Sequence, residues 1–146
     1  MKKLILILIS LGLLSILAVK LPPLNNMLDG PEFCGSCHFM EPWVETWYHS
    51  AHREVASCGD CHIPHDLVRG AFYKAYTGSR DALETITGQI PRSFLISGHG
   101  SEVVHENCLS CHSDLLRIVG DTKDEEGVYC FRCHRNTPHP PPLGMD

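Results

Sequence analysis

The cysteine pattern constrains this chain of 146 residues more than any other feature. All eight cysteines fall into copies of Cys-x-x-Cys-His, and none is left over. The four copies are Cys34-Gly-Ser-Cys37-His38, Cys58-Gly-Asp-Cys61-His62, Cys108-Leu-Ser-Cys111-His112 and Cys130-Phe-Arg-Cys133-His134. This is the attachment signature of c-type haem, in which two thiols bond to the porphyrin and the adjacent histidine reaches the iron. The sequence therefore predicts four covalently bound haem c groups.

Two other uses of paired cysteines stay open at this point. Paired C-x-x-C units hold zinc, and four of them would make two sites of four thiolates each. Disulfides form in exported proteins. Neither use requires a histidine after every second cysteine, whereas haem attachment does. The repeated histidine favours haem over both alternatives.

The composition leaves the chain short of ordinary core material. The first 21 residues are very apolar, while the rest is polar and rich in the 12 glycines and 10 prolines. A net charge of −5 and a pI near 6.0 argue against a nucleic-acid-binding protein. We therefore expect a mainly α fold with much irregular structure, wrapped as a multihaem cytochrome c around four haems, plus one N-terminal transmembrane helix.

The N-terminal segment predicts a membrane anchor. Lys2 and Lys3 precede residues 4–19, which carry no charge and include eleven leucines or isoleucines. As a helix, residues 1–21 span about 31 Å, close to the thickness of a bilayer core. The lysines keep that end cytoplasmic, so the haem domain is expected on the periplasmic side of the inner membrane as a single-pass protein. A cleaved signal peptide is the alternative, and it also exports the domain.

The predicted domains follow from this division. Residues 1–21 are the anchor, and residues 22–146 are a periplasmic tetrahaem cytochrome c domain. The motifs start 24, 50 and 22 residues apart, which indicates two haem pairs. The two-haem halves cover about 31–66 and 105–140, and a helical segment, 67–104, joins them.

Helices are predicted at three places in the haem domain. Residues 42–56 have a proline in the first turn. Residues 67–87 have apolar side chains at helical spacing, with Asp66 as N-cap. Residues 101–119 carry the third motif, and the tail over residues 138–142 is expected to be irregular.

Four haem irons present eight axial positions, and the motif histidines fill at most four of them. The six other histidines are candidates for the rest: His49, His52, His65, His99, His105 and His139. His52 lies on the helix predicted between the first two motifs, and His139 lies five residues past the last motif. Met40 is a further candidate, because a thioether also ligates haem iron, although such a methionine more often only packs against the porphyrin.

Lys74 and Asp81 are seven residues apart on the predicted helix over 67–87, so they share one face at a separation of about 10 Å. Their spacing alone favours a solvated charge pair. Near a haem, however, a carboxylate can accept a proton from a quinol and an ammonium can orient the quinol oxygen.

Beyond the haem motifs, the sequence resembles the NapC/NirT family of membrane-anchored multihaem quinol dehydrogenases over essentially its whole length. The segments that carry the resemblance are CGSCHFM, SAHREVASCGDCHIPH, FYKAYTGSRD, EVVHENCLSCH and YCFRCHRNTPH. The resemblance implies that the chain oxidises menaquinol and passes the electrons to a periplasmic multihaem catalytic subunit. The partner it implies is cytochrome c nitrite reductase, in nitrite ammonification.

The resemblance also implies residue roles at the first and second haems. Met40 ligates the first haem in place of His38, and the other face of that haem carries no strong ligand. Lys74 and Asp81 form the quinol pocket beside it. His62 ligates the second haem, whose other ligand comes from the partner subunit.

For the other two haems the resemblance implies ligand pairs within the chain. His52 pairs with His134 on the fourth haem, and His139 pairs with His112 on the third. His105 departs from the family pattern and receives no role, and His49 is expected to be a polar surface residue.

Three other interpretations are weighed against this one. The same quinol dehydrogenase can serve a nitrate or other periplasmic reductase. A simple multihaem electron carrier would have no quinol site, and its N-terminus would be a signal peptide. A zinc-binding structural protein is the remotest of the three.

Overall fold

The computed structural model describes residues 2–19, 21–90, 95–116 and 128–140. These ranges form α-helices and two short 3₁₀-helices, and they contain no β-strand. The α-helices are α1 (Lys2–Val19), α2 (Pro22–Asp29), α3 (Pro31–Cys34), α4 (Glu41–Tyr48), α5 (Cys58–His62), α6 (Leu67–Thr87), α7 (Gly98–Leu116) and α8 (Cys130–Cys133). The 3₁₀-helices are His38–Met40 and Ala51–Glu54. The predicted mainly α fold is confirmed.

The longest helix, α6, begins and ends where the sequence predicts. The side chain of Asp66 accepts a hydrogen bond from the backbone N–H of Arg69 at 2.7 Å, which satisfies a donor at the helix start. The helix ends at Gly88, whose φ of 69° lies in the left-handed region that favours glycine. The cap and the terminating glycine are local signals, so this helix was predictable from its own residues.

The predicted helix over residues 42–56 is wrong in its second half. α4 ends at Tyr48, and Ser50 adopts an extended conformation with φ −88° and ψ 158°. The Ser50 side chain then accepts from the backbone N–H of His52 at 3.3 Å, which starts a separate 3₁₀-helix. Serine breaks the helix here because its oxygen offers the backbone a competing hydrogen bond.

The third predicted helix is present as α7, which begins three residues earlier than expected. Its predicted end at residues 117–119 lies outside the described residues, as do Lys20 and residues 141–142 of the tail. The described part of the tail, up to Pro140, is irregular as predicted.

The helices that carry haem motifs pack against one another. α5, which carries the second motif, contacts α7, which carries the third, and α7 contacts α8, which carries the fourth. The Asn107 side chain on α7 fastens the first of these contacts by donating to the backbone carbonyls of Cys61 and Ile63 at 3.0 and 2.9 Å. The second, third and fourth motifs thus form one continuous cluster.

The described residues contain very little buried apolar side chain. Trp47 and Val103 are the buried apolar residues of these ranges, and the Trp47 indole donates to the carbonyl of Ala56 at 3.0 Å. Two such residues are far too few for an ordinary aliphatic core. This agrees with the expectation that the polypeptide itself supplies little of the interior.

The helix α1 is formed by the apolar N-terminal segment, and its leucine and isoleucine side chains up to residue 14 are exposed. Among the described residues, no helix meets the combined requirements of length and apolarity for crossing a membrane. The anchor over residues 1–21 stays a prediction.

Candidate haem-binding and quinol site

All eight cysteines lie in described parts of the chain and are free thiols. Among the described residues, no three side chains of His, Cys, Asp or Glu converge as they would around a metal ion. The thiols are therefore arranged neither as disulfides nor as the two tetrahedral clusters that the zinc alternative requires. Four separate Cys-x-x-Cys-His units are the arrangement that haem attachment requires.

The thiols of successive motifs are neighbours in space. Cys34 of the first motif and Cys58 of the second share a side-chain hydrogen bond, which lowers the pKa of Cys34 and raises that of Cys58. Cys108 of the third motif lies within electrostatic range of Cys61 and of Cys130, and burial, with these neighbours, raises its pKa to about 11. The motifs thus follow one another in space in the order one, two, three, four.

His62 of the second motif faces His139 of the C-terminal segment. Their ring centroids are 6.2 Å apart, with the ring planes 24° from parallel. A metal–imidazole bond is about 2 Å long, so two imidazoles on opposite faces of one iron have centroids about 6 Å apart. Burial, with the neighbouring His62, lowers the pKa of His139 to about 4, so this ring is neutral at pH 7 and has a lone pair for a metal.

His112 of the third motif faces His52, again with 6.2 Å between ring centroids and with the planes at 68°. The same reasoning makes this pair fit one iron. The resemblance to the family implied different pairs, namely His52 with His134 and His139 with His112. The structure contradicts both pairings.

The physical reason lies in tertiary packing that motif spacing does not encode. The break at Ser50 puts His52 on its own 3₁₀-helix rather than on a continuation of α4. The tail after α8 brings His139 back to α4, where its ring lies edge-on to Trp43 at 5.5 Å. The second haem, which was expected to lack a second ligand from this chain, therefore has one in His139.

His134 of the fourth motif is exposed, and within the described residues no ring stands opposite it. Its backbone closes α8, since its N–H donates to the carbonyl of Cys130 at 2.9 Å. The ligand missing from the described chain is therefore that of the fourth haem, rather than of the second.

Met40 ends the 3₁₀-helix His38–Met40 and is partly buried. Its backbone N–H donates to the carbonyl of Cys37 at 2.8 Å, so the residue is held against the first motif. Its role as iron ligand stays a prediction.

Lys74 makes a buried ion pair that the sequence did not reveal. Its ammonium lies 2.5 Å from the carboxylate of Asp29 at the end of α2, and the two side chains are only 18% and 10% exposed. Both charges act on the thiol of Cys34, where Asp29 raises the pKa and Lys74 lowers it. Asp29 also covers Gly59 of the second motif so closely that a Cβ there would stand 2.4 Å from the Asp29 Cβ. The pair thus lies between the first two haem attachment sites.

Asp81 lies further along α6 with a different set of neighbours. The Arg80 guanidinium is 3.6 Å from its carboxylate and 3.3 Å from that of Glu84. Partial burial raises the pKa of Asp81, Arg80 opposes this change, and Glu84 adds to it. The expected charge partner Lys74 is instead paired with Asp29.

The remaining histidines have contacts of other kinds. His49 pairs with Glu45 at 3.0 Å on an exposed surface, and His65 bonds to the carbonyl of Asp60 at 3.0 Å. His99 packs against Tyr73 with 5.2 Å between the rings. His105 is the most informative of the four, as described next.

His105 is only 1% exposed and secures the fourth motif to α7. Its Nδ1 accepts from the backbone N–H of Cys130 at 3.4 Å and lies 3.4 Å from that residue's sulfur. Its ring also packs against Tyr129 at 5.5 Å. Its position before the third motif gave no signal of this role, because the contact joins residues 25 apart.

Comparison with known proteins agrees with this geometry. The profile of the NapC/NirT cytochrome c family, N-terminal region, matches residues 1–99. The chain belongs to the NapC/NirT cytochrome c family. As a c-type cytochrome it carries covalently bound haem c, and the predicted family is confirmed.

Two relatives of this NapC/NirT cytochrome cover most of its length. It is 33% identical to the cytochrome c-type protein NrfH of Wolinella succinogenes, over 90% of this chain and 80% of that protein. It is 38% identical to the cytochrome c nitrite reductase subunit NrfH of Nitratidesulfovibrio vulgaris, over 76% of this chain and 68% of that protein.

Among solved structures, this cytochrome is similar to a chain in the crystal structure of the cytochrome c nitrite reductase NrfHA complex bound to the HQNO inhibitor. The TM-score is 0.74 at 34% identity, and the match covers 94% of this chain and 90% of that chain. At this identity and coverage the two chains share their fold.

Proposed function

We propose that this protein is a membrane-anchored tetrahaem cytochrome c that oxidises menaquinol and delivers the electrons to a periplasmic cytochrome c nitrite reductase. The observation that carries the proposal is the spatial order of the four haem-attachment motifs, in a chain similar to NrfH of the NrfHA complex. Such an order is what electron transfer from one end of a protein to the other requires.

The haems would supply one-electron redox chemistry, and the chain determines how each iron is held. His62 with His139 would hold the second iron, and His52 with His112 the third. Two strong histidine ligands suit a relay, because they leave no position for a substrate.

The haems at the two ends would be ligated differently. Met40 is proposed as the ligand of the first haem, and His134 as that of the fourth. Because His134 has no facing ring among residues 128–140 or elsewhere in the described chain, we expect the partner subunit to approach the fourth haem there. Electrons would then leave where the nitrite reductase docks.

The quinol would react beside the first haem, at Lys74 and Asp81. Oxidation of one menaquinol to menaquinone releases two electrons and two protons, and the electrons pass singly to the haems. Lys74, held near Cys34 by Asp29, would orient the quinol oxygen. Asp81, whose pKa burial raises, would accept a proton when it is ionised.

The N-terminal helix would bring this site to the membrane. Its exposed leucine and isoleucine side chains suit contact with lipid, and Lys2 and Lys3 favour a cytoplasmic N-terminus. The haem domain would then lie on the periplasmic face of the inner membrane, where a lipid-soluble quinol can reach it.

Asp81→Asn tests the quinol site. Loss of a general base typically slows a reaction by about 10²–10⁴-fold. We therefore expect haem reduction by a soluble menaquinol analogue to slow by at least about 100-fold, while reduction by dithionite stays unchanged.

Glu106→Gln is the matched control, because Glu106 forms an exposed ion pair with Arg69 of the same helix. It should reduce at the wild-type rate with both donors. A normal rate of quinol oxidation in Asp81→Asn would exclude the proposed base. Co-purification of the tagged, detergent-solubilised protein with a nitrite-reducing subunit tests the partner, and recovery of a nitrate reductase instead would contradict it.

A further inference from the structure

The inference concerns how His139 is held against the second motif, and it rests on the haem ligation proposed above. His139 sits in an irregular segment, so regular secondary structure does not fix its ring. Two residues of α4 do so instead. Thr46 Oγ1 lies 2.9 Å from Nδ1 of His139, and the ring of Trp43 packs edge-on against it.

The direction of the Thr46 bond follows from the number of its protons. A threonine hydroxyl has one hydrogen to donate. Thr46 Oγ1 donates it to the backbone carbonyl of Trp43 at 2.8 Å. Toward His139 the hydroxyl can then only accept, so Nδ1 must be the donor.

A second contact agrees with this direction. The backbone of Trp43 also accepts a hydrogen bond from the His139 ring. Both groups that face the ring on this side are therefore acceptors. A neutral imidazole carries one hydrogen, so a donor at Nδ1 leaves Nε2 with its lone pair.

We propose that Thr46 is a positioning residue for the second haem, which fixes His139 as the Nδ1–H tautomer and directs Nε2 to the iron opposite His62. The hydroxyl does this without touching the iron. A hydrogen bond donated by the far nitrogen of a ligating histidine sets its orientation and raises its basicity toward the metal.

Thr46→Val tests the proposal, since valine keeps the shape and removes the hydroxyl. Loss of such an outer partner typically costs about 10–100-fold in metal binding. In the full-length, detergent-solubilised holoprotein we expect the ratio of low-spin to high-spin iron at one haem to fall by about this factor in electron paramagnetic resonance. We also expect the midpoint potential of that haem to rise, because a less basic ligand stabilises ferric iron less.

Two variants separate this role from a merely structural one. Thr46→Ser restores the hydroxyl and should restore both the spectrum and the potential. Thr77→Val is the matched control, because Thr77 also donates to a backbone carbonyl of its own helix, that of Tyr73 at 2.9 Å. It should leave both readouts unchanged.

A measurement on the wild-type protein keeps the test valid if Thr46→Val fails to fold. The Nδ1 proton of His139 should be present in the paramagnetic NMR spectrum and exchange slowly with solvent. An unchanged spectrum and potential in Thr46→Val, or a His139 ring protonated at Nε2 alone, would overturn the proposal. Neither readout uses quinol, so this result is independent of the test on Asp81.

Discussion

The ion pair between Lys74 and Asp29 gives the most quantitative prediction. Asp29→Asn removes the negative charge and leaves the Lys74 ammonium, which is 18% exposed, without its counter-charge. At 2.5 Å and an effective dielectric constant of about 20, the attraction between the two charges is about 7 kcal/mol. The cost of removing both ions from water offsets part of this attraction, and breaking one side of such a pair costs about 3–5 kcal/mol. Because both side chains keep some exposure, we expect a loss of about 3 kcal/mol.

Chemical unfolding of the detergent-solubilised full chain, followed by far-ultraviolet circular dichroism, measures this loss. With a urea dependence of about 2 kcal/mol per M, the midpoint should fall by about 1.5 M. The pair between Arg69 and Glu106 is the internal control, since its side chains are 46% and 50% exposed at a similar distance of 2.8 Å. Glu106→Gln should cost less than about 1 kcal/mol.

A double variant identifies the buried charge as the cause. Adding Lys74→Met to Asp29→Asn removes the unpaired ammonium and should recover about 2 kcal/mol. If Asp29→Asn costs no more than Glu106→Gln, or if the double variant recovers nothing, the reasoning about the buried pair is wrong.

Three further predictions concern the second motif and the quinol site. Gly59→Ala places a Cβ within 2.4 Å of the Asp29 Cβ and should cost about 1–3 kcal/mol and lower the haem content measured by intact mass, whereas Gly78→Ala, with open space around its Cβ, should lower neither. Asn107→Ala leaves two backbone carbonyls without their donor and should lower the free energy of unfolding by about 2–3 kcal/mol in the same urea assay, with little change if the α5–α7 contact is held by other groups. Burial raises the pKa of Asp81, so the rate of quinol oxidation should fall as the pH drops through a pKa above the ordinary range for aspartate, and a rate that falls off only at the ordinary value would contradict the role of burial.

Local features of this fold were predictable from sequence, and tertiary pairings were not. The helix α6 was predictable because its cap at Asp66 and its end at Gly88 act within one turn. The break at Ser50 was missed because a serine hydroxyl competes with a helix only when the following backbone turns toward it.

The candidate site divides in the same way. The haem motifs and the histidines His52 and His139 were identified from residue type, because iron needs those ligands whatever the fold. Their partners depended on the packing of α5 against α7 and on the return of the tail to α4, and neither leaves a trace in the spacing of the motifs. Asp29 was missed for the same reason, since it lies 45 residues before Lys74.

The distribution of ligands along the proposed path has a functional consequence. The second and third motifs, in the middle of the spatial order, each have a facing histidine at 6.2 Å from this chain. The first and fourth motifs, at its two ends, have none among the described residues. Irons with two histidine ligands can only exchange electrons, whereas irons with an open face can also meet a quinol or a partner's side chain. In the proposed function, electrons enter at the first haem and leave at the fourth. The chain therefore completes the ligation of the two haems that only relay electrons, and leaves incomplete the two that must deal with another molecule.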